Sequence, residues 1–167
     1  VITMKTMKLA GSMLIMKKGF VLGVSRKTNL SSFGLPAGKA EPGESAKQAA
    51  IRETYEETGV IVNDCVHIFK REEDGFEAHC YYATDWEEDS NWKHDEEGKV
   101  EWITPFVLTN KTAAFPEYNK KAIMAFIEIL LHRDKTFEVE RLNLLSLAYF
   151  AGFTKAFPID MWYWNKN

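Results

Sequence analysis

Cysteine is scarce in this chain: only Cys65 and Cys80 occur. Both sit inside apolar runs, and neither belongs to a Cys-x-x-Cys or Cys/His pattern. Two such thiols make no disulfide framework, argue against a zinc site and suit a reducing cytoplasmic compartment. Both are expected to be buried. Long hydrophobic runs are missing as well. The most apolar stretch, LNLLSLAYFAGF (142–153), has the length of a core helix and carries Asn and Ser, so no membrane partner is expected. The opening VITMKTMKL lacks the apolar region and small-residue cleavage site of a signal peptide. Nor is there an excess of positive charge. A formal net charge of −3 gives no general pull on nucleic acid or an anionic membrane. A polyanionic ligand would have to be caught locally, by a metal ion or a few placed Lys and Arg. The histidines at 67, 79, 94 and 132 show no metal-ligand spacing and read as structural or exposed.

What is present suits one soluble globular core: 167 residues, 46% of them hydrophobic and 27% charged. Residues 11–26 read as two strands joined by a turn at Lys17-Lys18-Gly19. NLSSFGLPAG (29–38) is turn-rich, with a short extended piece near Phe33–Pro36. Strands follow at 60–71 and 76–86 around a turn at 73–75, then an acidic loop at 87–98 and a strand at 99–104. Ile123, Phe126, Ile127 and Leu130 have helical spacing within Pro116–His132. The folded domain is therefore expected over residues 1–135. The tail, 136–167, is rich in bulky apolar residues and must pack on its own domain, on a second subunit as a homodimer, or over a ligand.

The segment GKAEPGESAKQAAIRETYEETGV (38–60) carries the chemistry. Ser45 followed by Gln48 is a capping-box pattern and Gly59 a natural stop, which predicts a helix over about Ala46–Thr58. Ile51, Thr54, Tyr55 and Thr58 then share one face. Glu53, Glu56 and Glu57 cluster opposite, with Ala46, Ala49 and Ala50 leaving room for a ligand around them. Like charges at this spacing cost a few tenths of a kcal/mol per pair, and they oppose the helix dipole. A solvated face survives that cost; a site for Mg²⁺ or Mn²⁺, which prefer hard oxygen ligands, would remove it. Spacing alone leaves both open.

The order of residues adds to this. Gly38, Glu44, then Arg52-Glu53, Glu56-Glu57 and Gly59 resemble the signature of the Nudix hydrolases, G-x5-E-x7-R-E-U-x-E-E-x-G-U, at all seven fixed positions. At average residue usage a chance match at a given start is on the order of 10⁻⁸. One position departs: Thr54 stands where the signature has a bulky aliphatic residue. Its hydroxyl should turn back to the carbonyl of Ala50.

The resemblance implies an α/β/α sandwich with a mixed central β-sheet. It implies cleavage of a nucleoside diphosphate linked to another group, with Mg²⁺ (Mn²⁺ possible) as cofactor. By the family pattern Glu53, Glu56, Glu57 and Gly38 form the metal site, Arg52 orients the glutamates, and Glu44 pairs with Arg52. Gly38 and Gly43 let the loop come close. Glu53 is the favoured general base and Glu97 the next, with Glu96 and Glu101 in the same region. Arg26 and Lys39 are candidate phosphate contacts; Phe33 and Tyr82 are candidates for base stacking, as are Trp86 and Trp92, and each is also an ordinary core or rim aromatic. The leading substrate is a nucleoside triphosphate, ordinary or oxidised, cleaved in MutT-like fashion to monophosphate and pyrophosphate. The alternatives are an ADP-ribose or dinucleoside polyphosphate hydrolase, and a non-catalytic nucleotide-binding module.

Overall fold

The computed structural model of the chain describes residues 6–94 and 98–132. The expectations for Glu96, Glu97 and the apolar tail lie outside these residues. The described residues form eight strands and three helices, in order β1 (Lys8–Leu14), β2 (Met16–Lys17), β3 (Phe20–Arg26), β4 (Asn29–Gly34), β5 (Ala37–Lys39), α1 (Ala46–Thr58), β6 (Val60–Glu73), β7 (Phe76–Glu88), β8 (Val100–Ile103), α2 (Pro105–Thr109) and α3 (Pro116–His132).

Consecutive residues are buried at 11–14 of β1 and 80–83 of β7, because both faces of the sheet are covered there. Met13 and Ile15 enter one core layer with Tyr81, Ala83, Ala46 and Ala50. Leu14 and Met16 enter the other with Cys80, Tyr82, Ile123 and Phe126. The sheet between these layers runs β5-β1-β7-β6. Its β1–β7 pairing is parallel, while β1–β5 and β6–β7 are antiparallel, so the sheet is mixed. α1 covers one face and α3 the other: the expected α/β/α sandwich. A second sheet centres on β3, which pairs antiparallel with β2, β4 and β8. Both cysteines are buried. No helix among the described residues is long and apolar enough to cross a membrane.

Three local expectations need correction. Residues 11–26 do not form one simple hairpin. β1 stays with the mixed sheet, and only Met16–Lys17 pairs back on β3, through a turn with Lys18 at φ 51° and Gly19 at φ 81°. Two positive φ values in succession give a turn whose twist matches the strands it joins. α2 was not anticipated, although Thr104 followed by Pro105 at the first helical position is a start signal. Finally, α1 turns its alanines to the sheet. Ala46, Ala49 and Ala50 are buried, whereas Tyr55 is 39% exposed. The reason is Gly11 on β1: a Cβ there would collide with the carbonyl oxygen of Ala46 and come within 2.8 Å of the Ala50 nitrogen. At so close an approach only small side chains fit, so these alanines line a contact and leave no ligand space.

Candidate active site

α1 begins and ends as its sequence dictates. Ser45 Oγ accepts from the Gln48 amide at 3.1 Å, and the Ser45 amide donates to Gln48 Oε1 at 2.9 Å. Gly59, at φ 73°, closes the helix by donating to the Tyr55 carbonyl. Thr54 is fully buried, and its hydroxyl donates to the Ala50 carbonyl at 2.6 Å. The polar residue in an apolar position is thereby satisfied.

Arg52 is the brace of the site. Its Nε and Nη2 donate to Glu44 at 2.9 and 3.0 Å, and Nη1 donates to Glu53 at 2.8 Å and Glu56 at 3.1 Å. Nη2 also reaches the carbonyl of Lys39 at 3.1 Å. These bonds use all the N–H groups of a guanidinium, a set no lysine could reproduce. Hydrogen bonds from Arg52 hold the Glu44 carboxyl below its usual range, helped by the Glu41 amide. The same bonds, from Glu44 first and Glu53 next, push the Arg52 pKa upward.

Glu53 lies against Gly38 so closely that a Cβ on the glycine would overlap its carboxylate. Glu57 accepts from the Ala37 amide at 3.3 Å. Burial, the main cause, pushes the Glu57 carboxyl up to about 7; the charges of Glu53 and Glu56 add to this, while the Ala37 bond and the charge of Lys27 oppose it. Three carboxylates are the hard donors that a divalent cation takes, so the residue types fit a metal. As they stand, no three acidic, His or Cys side chains among the described residues converge on one point. Arg52 draws Glu53 and Glu56 toward itself.

Glu53, Glu56 and Glu57 open together into a cleft of about 310 Å³, which Arg26, Lys27, Trp92 and His94 also line. A second space of about 260 Å³ shares Arg26 and Glu57 with it and is lined by Leu35, Phe115, Tyr118 and Asn119. A third, of about 360 Å³, shares Phe115 and Tyr118 and reaches Lys39, Phe76 and Ala78. Adjoining through these shared residues, the three spaces are together termed a trough, lined by the glutamates, Arg26 and Lys27 at one end and mostly by apolar groups at the other.

The expected residues divide accordingly. Glu53, Glu56, Glu57, Arg52, Glu44 and Gly38 come together, and Arg26 borders the same cleft. The Lys39 ammonium does not reach the glutamates: it stands 5.0 Å from the centre of the Phe76 ring, at the far end of the trough. Phe33 and Tyr82 are buried in the α3 core layer, Tyr82 with its ring centre 4.3 Å from that of Phe126. Both are core aromatics and border none of the three spaces. Glu101, on β8, is not among the residues lining the cleft. Sequence reasoning passed over Lys27, Phe115 and Tyr118 and set His94 aside. The Arg26-Lys27 pair at a strand end was the one visible signal.

An α/β/α sandwich thus presents an arginine-braced glutamate cluster at one end of a set of adjoining spaces. The NUDIX domain family model matches residues 6–126, and the chain belongs to the Nudix hydrolase family. It is thus an enzyme acting on phosphoanhydride bonds, in a family whose members generally use divalent metal ions. It is 27% identical over 109 residues, 61% of this chain and 72% of the other, to a Bacillus subtilis (strain 168) protein provisionally named 8-oxo-dGTP diphosphatase. It is 43% identical over 53 residues to the RNA pyrophosphohydrolase of Erythrobacter litoralis (strain HTCC2594), spanning 30% of this chain and 32% of that one. The fold is shared with a solved NUDIX hydrolase from Nitrosomonas europaea at a TM-score of 0.61 and 22% identity, over 72% of this chain and 88% of that one.

Proposed function

We propose that this chain is a Mg²⁺-dependent pyrophosphohydrolase, able to use Mn²⁺, that cleaves a nucleoside triphosphate to monophosphate and pyrophosphate. Oxidised nucleotides are among the candidate substrates. The observation that carries this reading is the adjacency of two spaces that share Arg26 and Glu57: carboxylates with Arg26 and Lys27 line one, Leu35, Phe115 and Tyr118 the other. A polyphosphate suits the first part and a planar base the second. The name of the Bacillus subtilis relative supports the same substrate class.

Phe115 is the base platform. It is 55% exposed and sits at φ 55°, a costly conformation for a bulky residue. Buried Asn119 enforces it, donating to the carbonyls of Ala114 at 2.6 Å and Leu108 at 2.9 Å. The Arg26 guanidinium lies over the ring, 5.6 Å from its centre, and lines the space that holds the glutamates as well. Glu53, Glu56, Glu57 and the Gly38 backbone would hold the cation. When bound, it neutralises phosphate charge and lowers the pKa of a water ligand. Glu53 then takes the proton of the attacking water; the new P–O bond forms as the bridging P–O bond breaks, and pyrophosphate leaves with the electron pair. Arg52, with its donors already occupied, holds the glutamates and touches no substrate.

The third space, with Phe76 and Lys39, favours a second reading: a substrate with a further group beyond the base, such as ADP-ribose or a dinucleoside polyphosphate. A substrate panel with Phe115→Ala and Phe76→Ala separates the two. If a triphosphate is the substrate, Phe115→Ala raises KM about tenfold or more, the worth of one stacked base, and Phe76→Ala changes little. If ADP-ribose or diadenosine tetraphosphate is turned over best and Phe76→Ala impairs it, the second reading replaces the first.

A further inference from the structure

The cleft has a wall that the signature does not encode. After β7 the chain is pinned to the C-terminal end of α1. The Asp89 amide donates to the Gly59 carbonyl at 2.9 Å, and the Tyr55 hydroxyl donates to Asp89 Oδ2 at 2.9 Å. The amides of Asn91 and Trp92 fold back on Asp89 at 2.9 and 3.1 Å. Trp92 then lays its indole against Gly59, where a Cβ would lie 2.6 Å from the ring. Gly59 therefore serves twice, as the stop of α1 and as the seat of Trp92. Edge-on to that indole, with ring centres 5.5 Å apart and planes at 75°, stands His94. Both rings line the cleft that Glu53, Glu56 and Glu57 share with Arg26 and Lys27.

We propose that His94 is a substrate-contacting residue that donates an imidazole N–H to the phosphate chain bound in this cleft. The reading rests on the polyphosphate site set out above. Among the described residues the His94 ring makes no hydrogen bond, whereas His67 and His79 are bonded to each other at 2.9 Å. An imidazole offers at least one N–H in either protonation state, so the contact needs no titration. Trp92 limits how the ring can turn, which lowers the entropy lost when phosphate is gripped. Tyr55 and Asp89 act through the loop as positioning residues.

The test measures Mg²⁺–pyrophosphate binding by calorimetry, and nucleotide turnover, for the wild type, His94→Ala and His94→Gln. The glutamine keeps an N–H donor. The expected result is about a tenfold loss of pyrophosphate affinity in His94→Ala, with a matching rise in KM, and recovery to within about threefold in His94→Gln. Unfolding midpoints should be unchanged. Wild-type affinity in His94→Ala overturns the proposal, as does a wild type that binds no pyrophosphate. Equal defects in both variants with lowered midpoints also overturn it, because His94 would then only support Trp92. If binding depends on His94 yet no nucleoside triphosphate is hydrolysed, the contact stands and the substrate reading fails.

Discussion

Glu57 shows how one side chain reports on the whole site. Its carboxyl is held at about 7 against an ordinary 4.5, chiefly by burial. A raised acid binds its proton more tightly when folded, so the metal-free protein loses stability as pH rises from about 4.5 through 7. Glu57→Gln should therefore stabilise the chelated protein at pH 8, by on the order of 2 kcal/mol, and give no gain near pH 4.5. Urea unfolding in a chelator at the two pH values checks this; equal stabilisation at both would deny the shift. Thr54→Val is a second residue-scale case. The hydroxyl bonds only within its own helix, so an isosteric methyl should change stability by less than about 1 kcal/mol in either direction. At this scale the sequence was informative where a role is local. The Thr54–Ala50 bond follows from spacing along one helix, and the Arg52–Glu44 pair was expected from the family signature. Phe33, Tyr82 and Lys39 did not follow, because the face a strand residue takes depends on its partner strands. A one-residue change of register would reverse it.

Elements were legible in kind and less so in orientation. The capping box and the Gly59 stop set α1 at the span its sequence predicts, and the Asp-Gly turn between β6 and β7 was equally plain. Ser45→Ala should cost about 1 kcal/mol, readable as a lowered unfolding midpoint, since it removes one side of that box. Thr54 and Thr58 are buried, but the burial of Ala46, Ala49 and Ala50 ran against the expectation that they leave room for a ligand. The deciding residue lies far away in sequence, at Gly11, where backbone contact with α1 admits only alanines. Gly11→Ala should accordingly destabilise by about 2 kcal/mol or more, the cost of overpacking against backbone that cannot yield. Unfolding like that of the wild type would mean that α1 can lift from β1, and that the glutamates are less firmly placed than described. The same close packing sets where Glu53, Glu56 and Glu57 emerge. The stability of the element and the geometry of the site are thus one problem.

At the scale of the whole molecule, function comes from joining parts that are distant along the chain. α1 supplies the carboxylates, the end of β3 and the turn after it supply Arg26 and Lys27, the approach to α3 supplies Phe115, and the segment after β7 supplies Trp92 and His94. The signature makes the carboxylate end visible from one stretch of sequence. The platform proposed for the base, Phe115, has no comparable motif: it lies where Asn119 fixes the chain entering α3, which is long-range packing. The trough gives the claim its most direct measurement: pyrophosphate release from a nucleoside triphosphate with Mg²⁺, for the wild type and Glu57→Gln, with and without a chelator. The account predicts Mg²⁺-dependent release in the wild type, abolished by chelation and reduced at least about a hundredfold in the variant. Release that persists in the chelator, or at a wild-type rate in Glu57→Gln, would contradict a metal-dependent glutamate centre.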